Sequence, residues 1–96
     1  MQLTEKTYKT TKEYLYALKF PKKDVMHSDN EKKARCFQLI RAMRLGNLFK
    51  NKVLISFRDS QDRLMNINTT IWGVTQKSVI LKKGVYIPIH SIVSVE

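Results

Sequence analysis

The sequence predicts an α+β domain in which N-terminal helices precede a small five-stranded β-barrel. Three observations carry the prediction. Residues 52–96 divide into short runs of β-branched and aromatic residues cut by small turns. Residues 1–50 instead carry two helix-start signals, each followed by apolar residues at helical spacing. Finally, strands this short can hide their apolar faces within about 45 residues only by curling on themselves.

In chain order, residues 1–27 form a basic, aromatic-rich leader and residues 28–96 a helix with the barrel domain. Thr10 and Glu13 have the spacing of a capping box, and Pro21 closes the pattern, so a short helix is expected over 11–19. Tyr14 is expected to pack inward, while Tyr8 and Tyr16 fit either packing or stacking on a ligand. Ser28 and Glu31 form a second capping box, with Asp29 and Glu31 in the first turn where the helix dipole favours acids. That helix is expected to run from about Asp29 to Leu45 and to stop at Gly46-Asn47. Cys36, Leu39, Ile40 and Met43 fall on one arc and are assigned to the core. Lys33, Phe37, Arg41 and Arg44 fall on another, with Leu48 if the helix continues. Phe37 there is either a second contact with the leader, the preferred reading, or part of a binding surface.

In the strand half, Val53, Ile55 and Phe57 alternate with Leu54, Ser56 and Arg58. Asp59-Ser60-Gln61-Asp62 is a turn whose carboxylates are expected in solvent. Gly73 marks a bend or bulge, and Trp72 is expected to fill the core. Lys82-Lys83-Gly84 is a tight turn with glycine at positive φ. Pro88 places its strand at an edge or at its end, and His90-Ser91 breaks the chain before the last strand. Tyr86 alternates with Val85 and Ile87, which puts it on the outer side.

The chain has 96 residues and a formal net charge of +10, with 18 Lys and Arg against 8 Asp and Glu. Residues 1–50 hold twelve basic and five acidic groups; residues 51–96 hold six and three. Such a field attracts polyanions, although lysines also serve solubility alone. With one cysteine, Cys36, no internal disulfide forms, which fits a reducing compartment. No apolar run reaches the length of a membrane span and Met1–Thr11 holds no apolar signal core, so a cytoplasmic location is expected.

The residues do not suggest an enzyme, a cofactor or a metal. His27 and His90 lie far apart, no His/Cys/carboxylate cluster has ligand spacing, and the three glycines form no phosphate loop. Binding is the alternative. Lys33, Arg41, Arg44, Lys50, Lys52, Arg58, Lys77, Lys82 and Lys83 are candidate phosphate contacts. Tyr86, Trp72 and His90 are the planar groups available for base contacts, Trp72 being assigned to the core ahead of that role and His90 favoured because strand ends present side chains at a rim.

The segment Val53–Glu96 resembles the Sm/Hfq-like small barrel, whose strand rhythm other SH3-like barrels share. Ser78-Val79-Ile80-Leu81-Lys82-Lys83 and the ending His90-Ser91-Ile92-Val93-Ser94-Val95 carry the resemblance. It implies RNA binding, with His90 at the position of an RNA-contacting histidine and Gln76 at that of a uracil contact. Three positions depart from the pattern: Ile89 replaces a lysine, Lys77 an aromatic residue and Thr75 an aspartate. Pro88 falls in the strand through which the family's rings assemble. The resulting expectation is a non-catalytic nucleic-acid-binding protein, RNA ahead of DNA. The alternatives are a module that docks on an acidic protein partner and a self-assembling homo-oligomer.

Overall fold

A computed structural model describes residues 5–49 and 51–96. Its elements in order are β1 (Thr7–Lys9), α1 (Lys12–Leu15), α2 (Asp29–Phe49), β2 (Val53–Arg58), β3 (Leu64–Thr69), β4 (Ile71–Val74), β5 (Ser78–Leu81), β6 (Tyr86–Pro88) and β7 (Ile92–Val95). Short 3₁₀ turns at Lys82–Gly84 and Ile89–Ser91 flank β6. The α+β class holds, but the strands differ from the expected five-stranded barrel. Seven strands form two sheets, ordered β1-β3-β2-β7 and β4-β5-β6, with no closed barrel among the described residues. Thr70 alone separates β3 from β4, so one extended run bends from the first sheet into the second.

Strict alternation produces the core. β2 buries Val53, Ile55 and Phe57; β3 buries Met65, Ile67 and Thr69; the second sheet adds Ile71, Val79, Leu81 and Ile87. The bulge expected near Gly73 is present as a register shift between Ile71 and Gly73. Gly84 takes φ +78° in the β5–β6 turn, and Lys83 is also left-handed at +71°. Pro88 ends β6 at the margin of its sheet. Leu81 donates to Val85 O and Ile89 to Lys77 O, so Tyr86 and Pro88 turn their backbone groups outward. Pro88 has no N–H to offer, and its carbonyl already accepts the Ser91 hydroxyl at 2.7 Å. Little backbone remains on that edge for strand addition.

The helices depart from expectation for identifiable reasons. Thr10 donates its N–H to Asn66 O at 2.8 Å and so extends the β1–β3 pairing; Thr11 occupies the cap, and α1 is one turn long. Ser28 does cap α2, its Oγ accepting the Asn30 N–H at 3.2 Å. The helix then continues through Gly46 to Phe49. Its buried face is Arg35, Leu39, Ala42 and Gly46, roughly 80° around the helix from the predicted arc. Cys36 is exposed rather than in the core.

Gly46 explains that rotation. A Cβ there would lie 2.9 Å from Ile71 O and 3.1 Å from Thr70 Cγ2, so the glycine is a close-approach position where α2 crosses the β3–β4 bend. Ala42 and Gly46 thus allow the close approach at the bend, while Leu39 fills the core on the same face.

The leader lies on the same core. Leu15 is buried, and the Phe20 ring packs on Phe57 with centroids 5.8 Å apart. Ser60 donates its N–H to Lys19 O at 2.8 Å, and Val25 donates to His90 O at 2.9 Å. Tyr14 is exposed, contrary to expectation, because one helical turn presents only Leu15 inward.

Alanine in place of a mid-helix glycine ordinarily stabilises by about 1 kcal/mol. Here Gly46→Ala should destabilise by about 1–3 kcal/mol in urea unfolding, because its methyl group meets a backbone carbonyl. A stabilised variant would show that the helix does not approach the bend this closely.

Candidate nucleic-acid interface

The outer face of β4–β5–β6 presents aromatic surface to solvent. Trp72 is 52% exposed and Tyr86 57% exposed. Tyr86 pairs with Ile80, and Ile80 pairs with Gly73, so these three positions share one side of the sheet. Trp72 is the extra residue of the bulge beside Gly73, opposite in sense to buried Ile71. It is therefore a surface residue, not the core filler expected of it; the largest fully buried side chain is Phe57. Two strand spacings separate Trp72 from Tyr86, roughly 10 Å. Gly73 leaves room for Ile80, whose Cδ1 would sit 3.5 Å from a glycine Cβ.

Cations stand at both ends of this face. Thr75 closes the β4–β5 turn: its N–H and hydroxyl both donate to Ser78 O, and its hydroxyl accepts the Lys77 and Ser78 N–H groups. Gln76 and Lys77 are exposed on that turn. Lys82 and Lys83 are exposed in the β5–β6 turn at the opposite end, beside Lys12, Glu13 and Tyr16 of the leader, which line the same small cleft as Lys83. None of these lysines has an acidic partner within 4 Å among the described residues.

The remaining predicted contacts are distributed elsewhere. Lys33, Arg41 and Arg44 are exposed on α2, on the side away from the sheets, with Phe37 and Leu48. Phe37 is thus mostly in solvent and not covered by the leader among the described residues. Lys52 is exposed ahead of β2, and Lys50 lies outside the described residues. Arg58 is engaged already: its guanidinium grips both oxygens of Glu5 at 2.6 and 2.8 Å and donates to Asp62 O. That forked pair holds Glu5 below the usual carboxylate range.

His90 is half-buried instead of standing at a rim. Its Nε2 bonds Pro21 O, and since a carbonyl can only accept, Nε2 carries the hydrogen. His90 does lie near Gln76 and Lys77, in a cleft of about 460 Å³ that Asp24, Arg35, Pro88 and Ile89 also line. The sequence reading missed Asp24 and Arg35. Arg35 is 4% exposed and donates to Asp24 Oδ1 and Oδ2 at 2.9 and 2.7 Å and to Ile92 O at 3.1 Å. Their eleven-residue separation, across the loop before α2 and into the second turn of that helix, offers no local pairing signal. Asp59, expected in solvent, is buried as a turn staple: it accepts from the N–H groups of Gln61 and Arg63 and from the Arg63 guanidinium.

Among the described residues no three His, Cys, Asp or Glu side chains gather as a metal site, and no helix is long and apolar enough to cross a membrane. Comparison with family models, curated proteins and solved structures finds no match.

The Arg35 hydrogen bond, aided by the Met26 N–H, holds the Asp24 carboxyl below its ordinary value against the opposing effect of burial. At Asp59 burial works against ionisation, and the Arg63 and Gln61 donors outweigh it, so that carboxyl is also depressed. Depressed folded-state values contribute stability above the unfolded value near 3.8 and lose it as pH falls through the folded values. Urea midpoints should therefore fall on acidification below about pH 4. Asp24→Asn should be weaker at neutral pH and show a shallower acid loss. An unaltered acid profile in that variant would contradict the role given to Asp24.

Proposed function

We propose that this protein binds RNA without catalysis, through the outer face of β4–β5–β6. Trp72 and Tyr86 stack on bases while Lys77, Lys82 and Lys83 hold phosphates. The observation that carries this reading is two large aromatic side chains exposed on one sheet face, with lysines at both of its ends that pair with no carboxylate within 4 Å among the described residues. Planar surface beside mobile cations suits unpaired nucleotides, because stacking accepts any base and backbone contacts carry no sequence information. RNA is preferred over DNA because its single-stranded loops are what such platforms address.

The same reading includes the finer fold. In it, strands β2 to β7 are those of an opened Sm/SH3-like small barrel, a reading supported by the bend at Thr70 and the 3₁₀ turn before the last strand. The pore chemistry of that family is not carried over, since His90 is tied to Pro21 and the edge at Pro88 is blunted. Gln76, exposed beside Lys77, remains a base contact in this reading.

Fluorescence anisotropy with a labelled oligouridine RNA at two salt concentrations tests the proposal. Affinity should drop steeply as salt rises. Trp72→Ala and Tyr86→Ala should each weaken binding by about 1–3 kcal/mol, roughly 5- to 150-fold, with the salt slope unchanged. Lys82→Ala with Lys83→Ala should flatten the slope. Binding that ignores both aromatic replacements, or no binding at low salt, contradicts the proposal.

A further inference from the structure

Helix α2 carries a surface that the RNA reading does not use. Phe37 is 74% exposed and Leu48 75% exposed, on a helix whose opposite side is packed on β4 and β7. Lys33, Phe37, Arg41, Arg44 and Leu48 fall within roughly 80° of one another around the helix axis. Their arc is centred opposite buried Arg35, Leu39, Ala42 and Gly46. Ile40 and Leu45, both half-buried, border it. The stripe runs about 22 Å along the helix at ~1.5 Å per residue.

Phe37 and Leu48 stand about three helical turns apart on one side of α2, roughly 16 Å, a spacing at which a single partner helix covers both. The charge on the stripe selects the occupant. Lys33, Arg41 and Arg44 have no carboxylate within 4 Å among the described residues. A second copy laid antiparallel so that Phe37 covers Leu48 would set Arg41 against Arg44, so like charges would meet between the two apolar contacts. A nucleic acid would satisfy the cations and could stack on Phe37, but it has no use for Leu48. An acidic amphipathic helix satisfies both: its apolar residues cover Phe37 and Leu48, and its carboxylates meet the three cations.

We infer that the exposed stripe of α2 is a docking surface for an acidic amphipathic helix of a protein partner. The surface is separate from the sheet face, and the inference stands whether or not the sheet binds RNA. The Gly46 approach to the β3–β4 bend and the Arg35 anchor fix α2 rigidly on the domain, which presents the stripe in a defined orientation.

The test uses the full chain and three probes: a designed peptide of about 16 residues with leucines at helical spacing flanked by glutamates, its counterpart with lysines for the glutamates, and oligouridine RNA. Amide chemical-shift mapping is the readout. The acidic peptide should perturb Phe37, Arg41, Arg44 and Leu48 and leave Trp72 and Tyr86 untouched; the basic peptide should perturb nothing. Arg41→Glu with Arg44→Glu should weaken the acidic peptide at least about tenfold. Phe37→Ala with Leu48→Ala, both on exposed positions that leave the core intact, should do the same. The inference is overturned if both peptides bind alike or neither binds. It is also overturned if RNA perturbs the stripe instead, or if the chain alone forms a dimer that Phe37→Ala and Leu48→Ala dissolve.

Discussion

The Arg35 guanidinium joins three parts of the chain that share no sequence neighbourhood. It is fixed on α2, it clasps the carboxylate of Asp24 in the leader, and it reaches the Ile92 carbonyl of β7. A buried cation without partners would be strongly destabilising, so the leader has to lie where Asp24 can reach it. That placement brings Pro21 to His90 and Phe20 onto Phe57. The ring of Phe20 is half-buried against the core. Trp72 stands on the outer face for a separate and local reason, the bulge between Ile71 and Gly73.

Arginine and lysine divide the chain's charge between structure and surface. Arg35, Arg58 and Arg63 each fork onto a carboxylate, of Asp24, Glu5 and Asp59 respectively. The planar guanidinium suits such fixed pairs, and the pairs fasten the leader and the β2–β3 turn. Lys77, Lys82 and Lys83 remain in solvent around the sheet face, where long flexible stems and point charges suit phosphates of varying position. Arg41 and Arg44 are the exception among the arginines. Both stand exposed on α2 between Phe37 and Leu48, which distinguishes the helix surface chemically from the sheet surface.

Much of the strand half was legible because its signals are local. Alternation in Val53–Arg58, glycine at the β5–β6 turn, proline at the end of β6 and the break at His90-Ser91 each act within a few residues. The misreadings arise where a distant segment decides the outcome. Gly46 looks like a helix stop, yet it is the point where α2 meets the Ile71 carbonyl, which no local pattern announces. Thr10 looks like a cap until Asn66 recruits its N–H into the sheet. Cys36 shares an apolar arc with Leu39, Ile40 and Met43, but Arg35 is buried in its place through its pairing with Asp24, and Trp72 looks like a filler for a closed barrel that the two sheets do not form. At the candidate site, Tyr86, Lys77, Lys82 and Lys83 followed from alternation and turn chemistry. Trp72 could have been found by continuing the alternation outward from Ile71 through the Gly73 bulge.

The central claim is that Trp72 and Tyr86 form a stacking surface for RNA. The chain contains one tryptophan, so its intrinsic emission reports on that surface alone. Titration with unlabelled oligouridine, followed at the tryptophan band, tests the claim most directly. The account predicts saturable quenching that is reversed by added salt and diminished in Tyr86→Ala. RNA that binds without altering the emission, or emission that stays constant because no RNA binds, would contradict it.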